Sequence, residues 1–312
     1  MSNSQDRLPR WLKVKAPGSP NYLDLKRLVK SLKLNTVCES AQCPNIGECW
    51  GNRTATFMIL GDICTRSCGF CAIRTGRPQV LDEDEPKRVA QAIAALGLGH
   101  AVITSVNRDE LPDGGAHIFA ETIDEIHRLC PETSIEVLIP DFQGDQDSLL
   151  AILNAVPDIL NHNLETVPRL YPTMRPQAIY SRSLELLDRA RKLGTAPTKS
   201  GMMLGAGETM DEIEDTIGDL SDVGCNILTL GQYLSPSRKH VPVARFLDPS
   251  EFTELGNYAR RLGFNHVESG PLVRSSYHAE KQVGEIELTS IQSLPTHISK
   301  FEPITSPIGN HR

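Results

Sequence analysis

Aromatic residues are scarce in this chain of 312 amino acids, at 5% of positions with only two tryptophans, so its core is mostly aliphatic. No apolar run approaches the roughly 20 residues that a bilayer-spanning helix requires. The opening residues, MSNSQDRLPRWLKVK, contain no apolar signal core. These absences argue against a membrane-spanning or secreted class, and the expectation is a cytoplasmic protein, or one of a matrix after processing, with no membrane partner. Positive charge is not in excess either, since 32 Lys and Arg stand against 39 Asp and Glu for a net charge of −7. Nonspecific affinity for nucleic acid depends on clustered cations that displace counterions, so no nucleic-acid partner is expected.

What the chain does have is cysteine, eight in all. Thiols in a reducing compartment are seldom a disulfide framework and more often bind metal or do chemistry when clustered. Six fall into two groups, Cys38 with Cys43 and Cys49, and Cys64 with Cys68 and Cys71. Cys130 and Cys225 stand alone and read as packing residues.

From about residue 55, β-rich apolar runs alternate with segments of helical period, the pattern of β/α units around a parallel sheet. Six candidate strands cover 55–63, 100–106, 134–142, 159–167, 198–205 and 226–234. Between them, Asp248-Pro249-Ser250-Glu251 supplies an N-cap, a first-turn proline and a capping-box acid, and Thr209 with Glu212 supplies a second box. Gly194, Gly224 and Gly263 each follow a helical segment, where a left-handed C-terminal cap is expected. The acidic run Asp82 to Glu85 reads as helix N-terminal charge. The fold class is therefore α/β, a partial parallel (β/α)6 TIM-type barrel with N- and C-terminal extensions that wrap it. Its expected division is 1–54, 55–235 and 236–312.

Cys64-Thr-Arg-Ser-Cys68-Gly-Phe-Cys71 follows the first strand, where the loops at a barrel's catalytic face begin. Three thiolates can hold three irons of a cubane cluster and leave the fourth open; zinc would need a fourth ligand from elsewhere. The spacing, with Phe70 before the last cysteine, resembles the signature of the radical S-adenosylmethionine (SAM) superfamily. That resemblance implies a [4Fe-4S] cluster that chelates S-adenosyl-L-methionine and reductively cleaves it to methionine and a 5'-deoxyadenosyl radical. Such a radical suits an unactivated C–H bond, which offers no acid, base or nucleophile a hold.

Cys38-Glu-Ser-Ala-Gln-Cys43-Pro-Asn-Ile-Gly-Glu-Cys49-Trp50 is similar to the CxxxxCPNxGECW segment of lipoyl synthases. The stretches 104–116, 161–167 and Gly270-Pro-Leu-Val-Arg274-Ser275-Ser276-Tyr277-His-Ala279 resemble the same family, and the likeness runs from about residue 35 to 280. It implies a sulfurtransferase that inserts sulfur at C6 and C8 of a protein-bound octanoyl group, with a second [4Fe-4S] cluster on Cys38, Cys43 and Cys49 as sulfur donor. The implied fourth ligand of that cluster is a serine of the Arg-Ser-Ser-Tyr motif, Ser276 by choice with Ser275 the alternative. Implied SAM contacts are Phe70, Gly114, Gly115, Asn163, Glu165 and Gly205 within Gly201-Met-Met203-Leu-Gly205-Ala-Gly-Glu208. Arg169 and Arg175 are candidates for a carboxylate or for neutralising the mouth, and His162 reads as a wall residue.

The implied partners are octanoylated lipoyl-carrier domains, of a 2-oxoacid dehydrogenase E2 or the glycine cleavage H protein, and an electron donor such as ferredoxin or flavodoxin. Lys26, Arg27, Lys30 and Lys33 are a candidate docking face, or an ordinary solvated one. Gly69 departs from the bulkier residue or proline that lipoyl synthases often carry there, which is expected to loosen the cysteine loop. Competing readings are a biotin-synthase-like relative and a non-catalytic metal module; six clustered cysteines cannot supply two four-thiolate sites.

Overall fold

The computed structural model describes residues 8–14 and 16–279; the remainder of the expected C-terminal extension, 280–312, lies outside them. In chain order the elements are α1 (Pro20–Ser31), β1 (Asn35–Thr36), α2 (Val37–Ser40), α3 (Ile46–Gly51), β2 (Thr56–Ile59), β3 (Ile63–Cys64), β4 (Arg74–Thr75), α4 (Glu85–Leu96), β5 (His100–Ser105) and α5 (Ala116–Leu129). There follow β6 (Ser134–Leu138), α6 (Gln146–Asn154), β7 (Ile159–Asn161), α7 (Tyr171–Met174), α8 (Tyr180–Leu193), β8 (Thr198–Leu204), α9 (Met210–Asp222), β9 (Ile227–Gln232), α10 (Pro249–Arg261) and β10 (His266–Ser269).

The main sheet runs β1-β2-β5-β6-β7-β8-β9-β10. Every neighbouring pair is parallel except β1 on β2, so the six expected strands are present and a seventh, β10, extends the sheet beyond β9. The short, half-polar run His266-Val-Glu-Ser carries too few apolar residues to announce itself as a strand, and what makes it one is register, His266 against Ile227 and Ser269 against Leu230. Among the described residues β1 and β10 remain the two edges, and the barrel is open. The inner strands are buried on both faces, as in β2 and β9, because helices cover one side and the barrel interior fills the other.

Helix punctuation follows the local chemistry. Asp248 and Thr209 each form a complete capping box, with Glu251 and Glu212 returning the bond. Gly224 and Gly263 follow their helices with φ of +73° and +101°, the left-handed region that glycine enters at no steric cost. Gly194 corrects the expectation: its backbone is extended at φ −111°. A Cβ there would stand 2.6 Å from Leu153 Cδ2, so this glycine serves close packing of α8 against α6. Glu85 also does more than charge a helix end, for it is buried and accepts the Leu60 N–H at 2.7 Å.

The N-terminal segment has no core of its own. Leu25, Val29 and Trp50 join the same apolar cluster as Phe57, Ile59, Ile103 and Val137. Trp50 is fully buried, with its ring centroid 5.2 Å from that of Tyr22. The barrel interior carries a charged floor: Lys199 Nζ lies 2.8 Å from Glu136 Oε2, both side chains at 0% exposure, and Asn161 Nδ2 donates to Glu136 Oε1 at 2.8 Å. Strand alternation puts this pair one layer below Gly201 and Leu138, two residues further along β8 and β6.

Candidate functional site

Above that floor, a cavity of about 480 Å³ opens at the C-terminal ends of the strands, where β/α barrels build their sites. Cys64, Cys68 and Cys71 line it together with Cys38, Cys43, Ser275 and Ser276. Cys49 is not in the wall; it sits in α3 with its side chain packed against the apolar core.

The Cys64–Cys71 loop is pinned from several directions. Cys64 Sγ accepts the Asn107 N–H at 3.3 Å, and the Asn107 carbonyl accepts from Thr65 N–H and Oγ1, both at 3.1 Å. Arg66 forms a two-point fork on Asp109, each arm 2.7 Å, and reaches Asp141 at 2.6 Å. Burial alone would raise the Asp141 pKa, but the Arg66 bond overcomes it and holds the carboxyl down at about 2. Gly69 donates to the Met174 carbonyl at 2.8 Å and accepts from Val241 N–H at 2.9 Å, and His240 Nε2 donates to the Cys71 carbonyl at 3.0 Å. Gly69 therefore does not loosen the loop: a Cβ there would meet the Thr173 carbonyl oxygen at 2.5 Å, and its absence lets two other segments clamp the turn.

Burial pushes Cys38 and Cys71 up to about 11 and Cys68 to about 12, and it raises Cys43 as well. At neutral pH these are thiols until a cation takes the proton's place. Among the described residues no three His, Cys, Asp or Glu side chains converge on one point as a single metal ion demands. A four-iron cubane puts each cysteine on its own iron, and the three thiols of the Cys64–Cys71 loop, all facing one cavity, suit that donor set.

Glu165 lines the same cavity and is half-buried. Its backbone is held at φ +67°, which a non-glycine residue rarely adopts, by N–H donation to the Gly201 carbonyl and acceptance from Met203 N–H, both 2.9 Å. Burial raises the Glu165 pKa, opposed by Arg175, by the Asn163 amide at 3.0 Å and by Arg274. Arg175 is itself fixed by the carbonyls of Asn163 and Leu164 at 2.8 and 3.1 Å. Arg169, by contrast, faces outward and pairs with Glu212 at 2.6 Å. His162 is a wall residue, its ring bonded to the Ile139 carbonyl at 2.8 Å and to Ser183 Oγ at 3.0 Å. Burial, reinforced by Arg175, lowers its pKa to about 4.

Asn163 also meets the C-terminal loop: its Nδ2 is 2.6 Å and its Oδ1 2.9 Å from Ser275 Oγ. That loop in turn grips the N-terminal cysteine segment, where Asn45 donates to the Leu272 carbonyl at 2.6 Å and Tyr277 O–H to Glu48 at 3.3 Å. Phe70 lines the cavity, whereas Gly114, Gly115 and Gly205 do not. Left-handed turns at φ +59°, +89° and +102° account for those three glycines together with packing, since a Cβ would strike Phe142, Leu60 and Gln232 respectively. The wall beyond β5 is instead made by Ser105 and Asn107, whose buried Oγ and Oδ1 have no partner within the protein. Arg66, Asp141 and Arg274 escaped the sequence reading, although Arg66 lies between two cysteines and Arg274 opens the Arg-Ser-Ser-Tyr motif.

Comparison with known proteins agrees with this geometry. The family model of the radical SAM superfamily matches residues 58–220, and that of the N-terminal domain of lipoyl synthase matches residues 1–43. Lipoyl synthase of Rubrobacter xylanophilus is 59% identical over 275 residues, covering 88% of this chain and 86% of that one. Lipoyl synthase of Chloroflexus aurantiacus is 56% identical over 282 residues, covering 90% and 92%. Among solved structures, HydG, a maturase of the [FeFe]-hydrogenase, superposes with a TM-score of 0.56 at 15% identity over 88% of this chain and 61% of that one. SuiB of Streptococcus suis bound to S-adenosylmethionine gives 0.55 at 11% identity over 82% and 64%. At those identities the likeness speaks for the fold alone.

Open parallel barrel, three-cysteine loop and family model together define a protein of the radical SAM superfamily. Within it, the chain belongs to the lipoyl synthase family, as its identity to curated members across most of both lengths establishes. None of the described helices is long and apolar enough to cross a membrane.

Proposed function

We propose that the protein carries out the lipoyl synthase reaction, inserting two sulfur atoms at C6 and C8 of an octanoyl chain borne on a lysine of a carrier domain. The observation that carries this reading is that both cysteine segments and the Ser275–Ser276 loop open on one cavity. When bound, one [4Fe-4S] cluster supplies the electron that cleaves S-adenosyl-L-methionine to a C–H-abstracting radical, and the other supplies sulfur.

The chain's own residues do the rest. Cys64, Cys68 and Cys71 hold the first cluster and Cys38, Cys43, Cys49 and Ser276 the second. Ser275 is already engaged with Asn163, which favours Ser276 as the oxygen ligand. Phe70, Asn163 and Glu165 contact the SAM nucleoside, and Gly114, Gly115 and Gly205 set the turns around it. The apolar walls from Met58, Ile139 and Met203 exclude water from the alkyl chain. Residues 1–54 and 236–312 act as extensions that complete a core of 55–235. The exposed face of Lys26, Arg27, Lys30 and Lys33 docks an octanoylated E2 domain or H protein, and a ferredoxin or flavodoxin supplies electrons in the cytoplasm.

Anaerobic reconstitution tests the reading. The parent should hold about eight irons and the Cys38/Cys43/Cys49→Ala variant about four, with matching sulfide and little zinc. Only the parent should convert an octanoylated carrier to the lipoyl product. Zinc without sulfide, or an unchanged iron count in the variant, would overturn it.

A further inference from the structure

The contact between Asn163 and Ser275 crosses the cavity from the end of β7 to the C-terminal loop, joining residues 112 positions apart. Both atoms of the Asn163 amide lie within reach of the one hydroxyl, at 2.6 and 2.9 Å. Two exchanges are open to them: the amide N–H donates to Ser275 Oγ, or Ser275 O–H donates to the amide carbonyl. Room for either comes from Gly201, where a Cβ would stand 2.4 Å from Thr229 Oγ1, 2.9 Å from Asn163 Oδ1 and 3.1 Å from Ser275 Oγ. The same amide also donates to the half-buried Glu165 carboxylate at 3.0 Å. Any ligand hydroxyl that engages Asn163 must therefore extend this small network or displace Ser275 from it. Ser275 is covalently next to Ser276, so a shift of one reseats the other.

We infer that Ser275 is a positioning residue that couples ligand occupancy beside Asn163 to the seating of Ser276 against the N-terminal cysteine group. The inference rests on the functional reading above. Linkage makes the coupling reciprocal: if bound SAM favours one position of the loop, a loaded N-terminal cysteine group must alter SAM affinity by the same factor. A hydrogen bond of ordinary net strength corresponds to a factor of about five.

The test is equilibrium dialysis of S-adenosyl-L-methionine, under anaerobic conditions, against the reconstituted protein and its Cys38/Cys43/Cys49→Ala variant. The expected ratio of the two dissociation constants is about fivefold. Ser275→Ala in both backgrounds should collapse the ratio to about one while keeping about eight irons in the otherwise intact chain. Ser275→Thr, which retains the hydroxyl, should restore it. Asn163→Ala approaches the bond from its other end and should weaken SAM binding and abolish the ratio together, closing a double-mutant cycle. A ratio that survives Ser275→Ala overturns the inference, as does loss of about four irons, which would make Ser275 itself the ligand. A ratio of one in a parent that converts an octanoylated peptide overturns the inference alone, whereas a parent that binds no SAM overturns the functional reading with it.

Discussion

Arg66 reaches from inside the first cysteine interval to Asp141 at 2.6 Å, across 75 residues of sequence, and both side chains are almost fully buried. Arg182 approaches the other Asp141 oxygen at 3.3 Å, and Asp109 takes the remaining arms of the Arg66 fork. Four charges from three loops and a helix thus balance to neutrality beside the Cys64–Cys71 loop. Truncating Arg66→Met leaves the buried Asp141 with only the Gln143 N–H at 3.1 Å and Arg182 at 3.3 Å, and should cost about 3 kcal/mol in urea unfolding. Arg66→Lys keeps the charge but not the planar fork, so an intermediate loss is expected. Equal stability for all three proteins would show that the network is ornamental.

The charged floor gives a sharper contrast. Lys199→Met leaves the Glu136 carboxylate buried with only the Asn161 amide and a more distant His100 ring, and a loss of about 3–5 kcal/mol is expected. Lys199→Met combined with Glu136→Gln removes both charges and should recover most of it. Thermal or denaturant unfolding of the two variants side by side is the check, and a double variant as unstable as the single would contradict it.

His162 should make stability pH-dependent. Its folded pKa, lowered by burial to about 4, lies below the ordinary 6.5, so between these values the unfolded chain binds more protons than the folded one. The stabilisation is complete above about pH 6.5 and is lost as pH falls toward 4, roughly 3 kcal/mol over the window. Unfolding free energies of the parent and of His162→Gln, measured from pH 7 to pH 4.5, should converge as the pH drops. Parallel curves would mean that the ring charges without penalty.

Gly69→Ala should damage the cysteine loop specifically. The new methyl meets the Thr173 carbonyl oxygen at 2.5 Å and Val241 Cγ2 at 2.9 Å, and the first of these is backbone that cannot rotate away. A cost of about 1–3 kcal/mol is expected from overpacking, with up to about four irons lost per chain. Iron analysis and the visible spectrum of the reconstituted variant would decide the matter.

Six of the seven parallel strands of the main sheet were legible in the sequence because short continuous apolar runs such as the one in HAVITSV advertise a strand buried on both faces. β10 was not, since its identity as a strand comes from pairing with β9 and not from its own residues. The cysteine groups were legible for a similar reason, as ligand spacing is local. Arg66, Asp141 and the Asn163–Ser275 contact were not, because each joins positions 75 to 112 residues apart and no local pattern encodes such a distance. Gly69 and Gly194 were misjudged because a glycine's purpose can be the neighbour it admits, and the neighbour is visible only after folding.

The bond from Asn45 to the Leu272 carbonyl spans 227 residues, and its counterpart from Tyr277 to Glu48 closes slightly later in the chain. On the ribosome, a nascent chain that ends before Leu272 already carries all eight cysteines yet lacks the loop that grips the first three. The segment made earliest is thus the one whose pocket is finished last. The clamp on the Cys64–Cys71 loop is complete once His240 and Val241 exist, about 30 residues before the loop that grips the N-terminal cysteine segment.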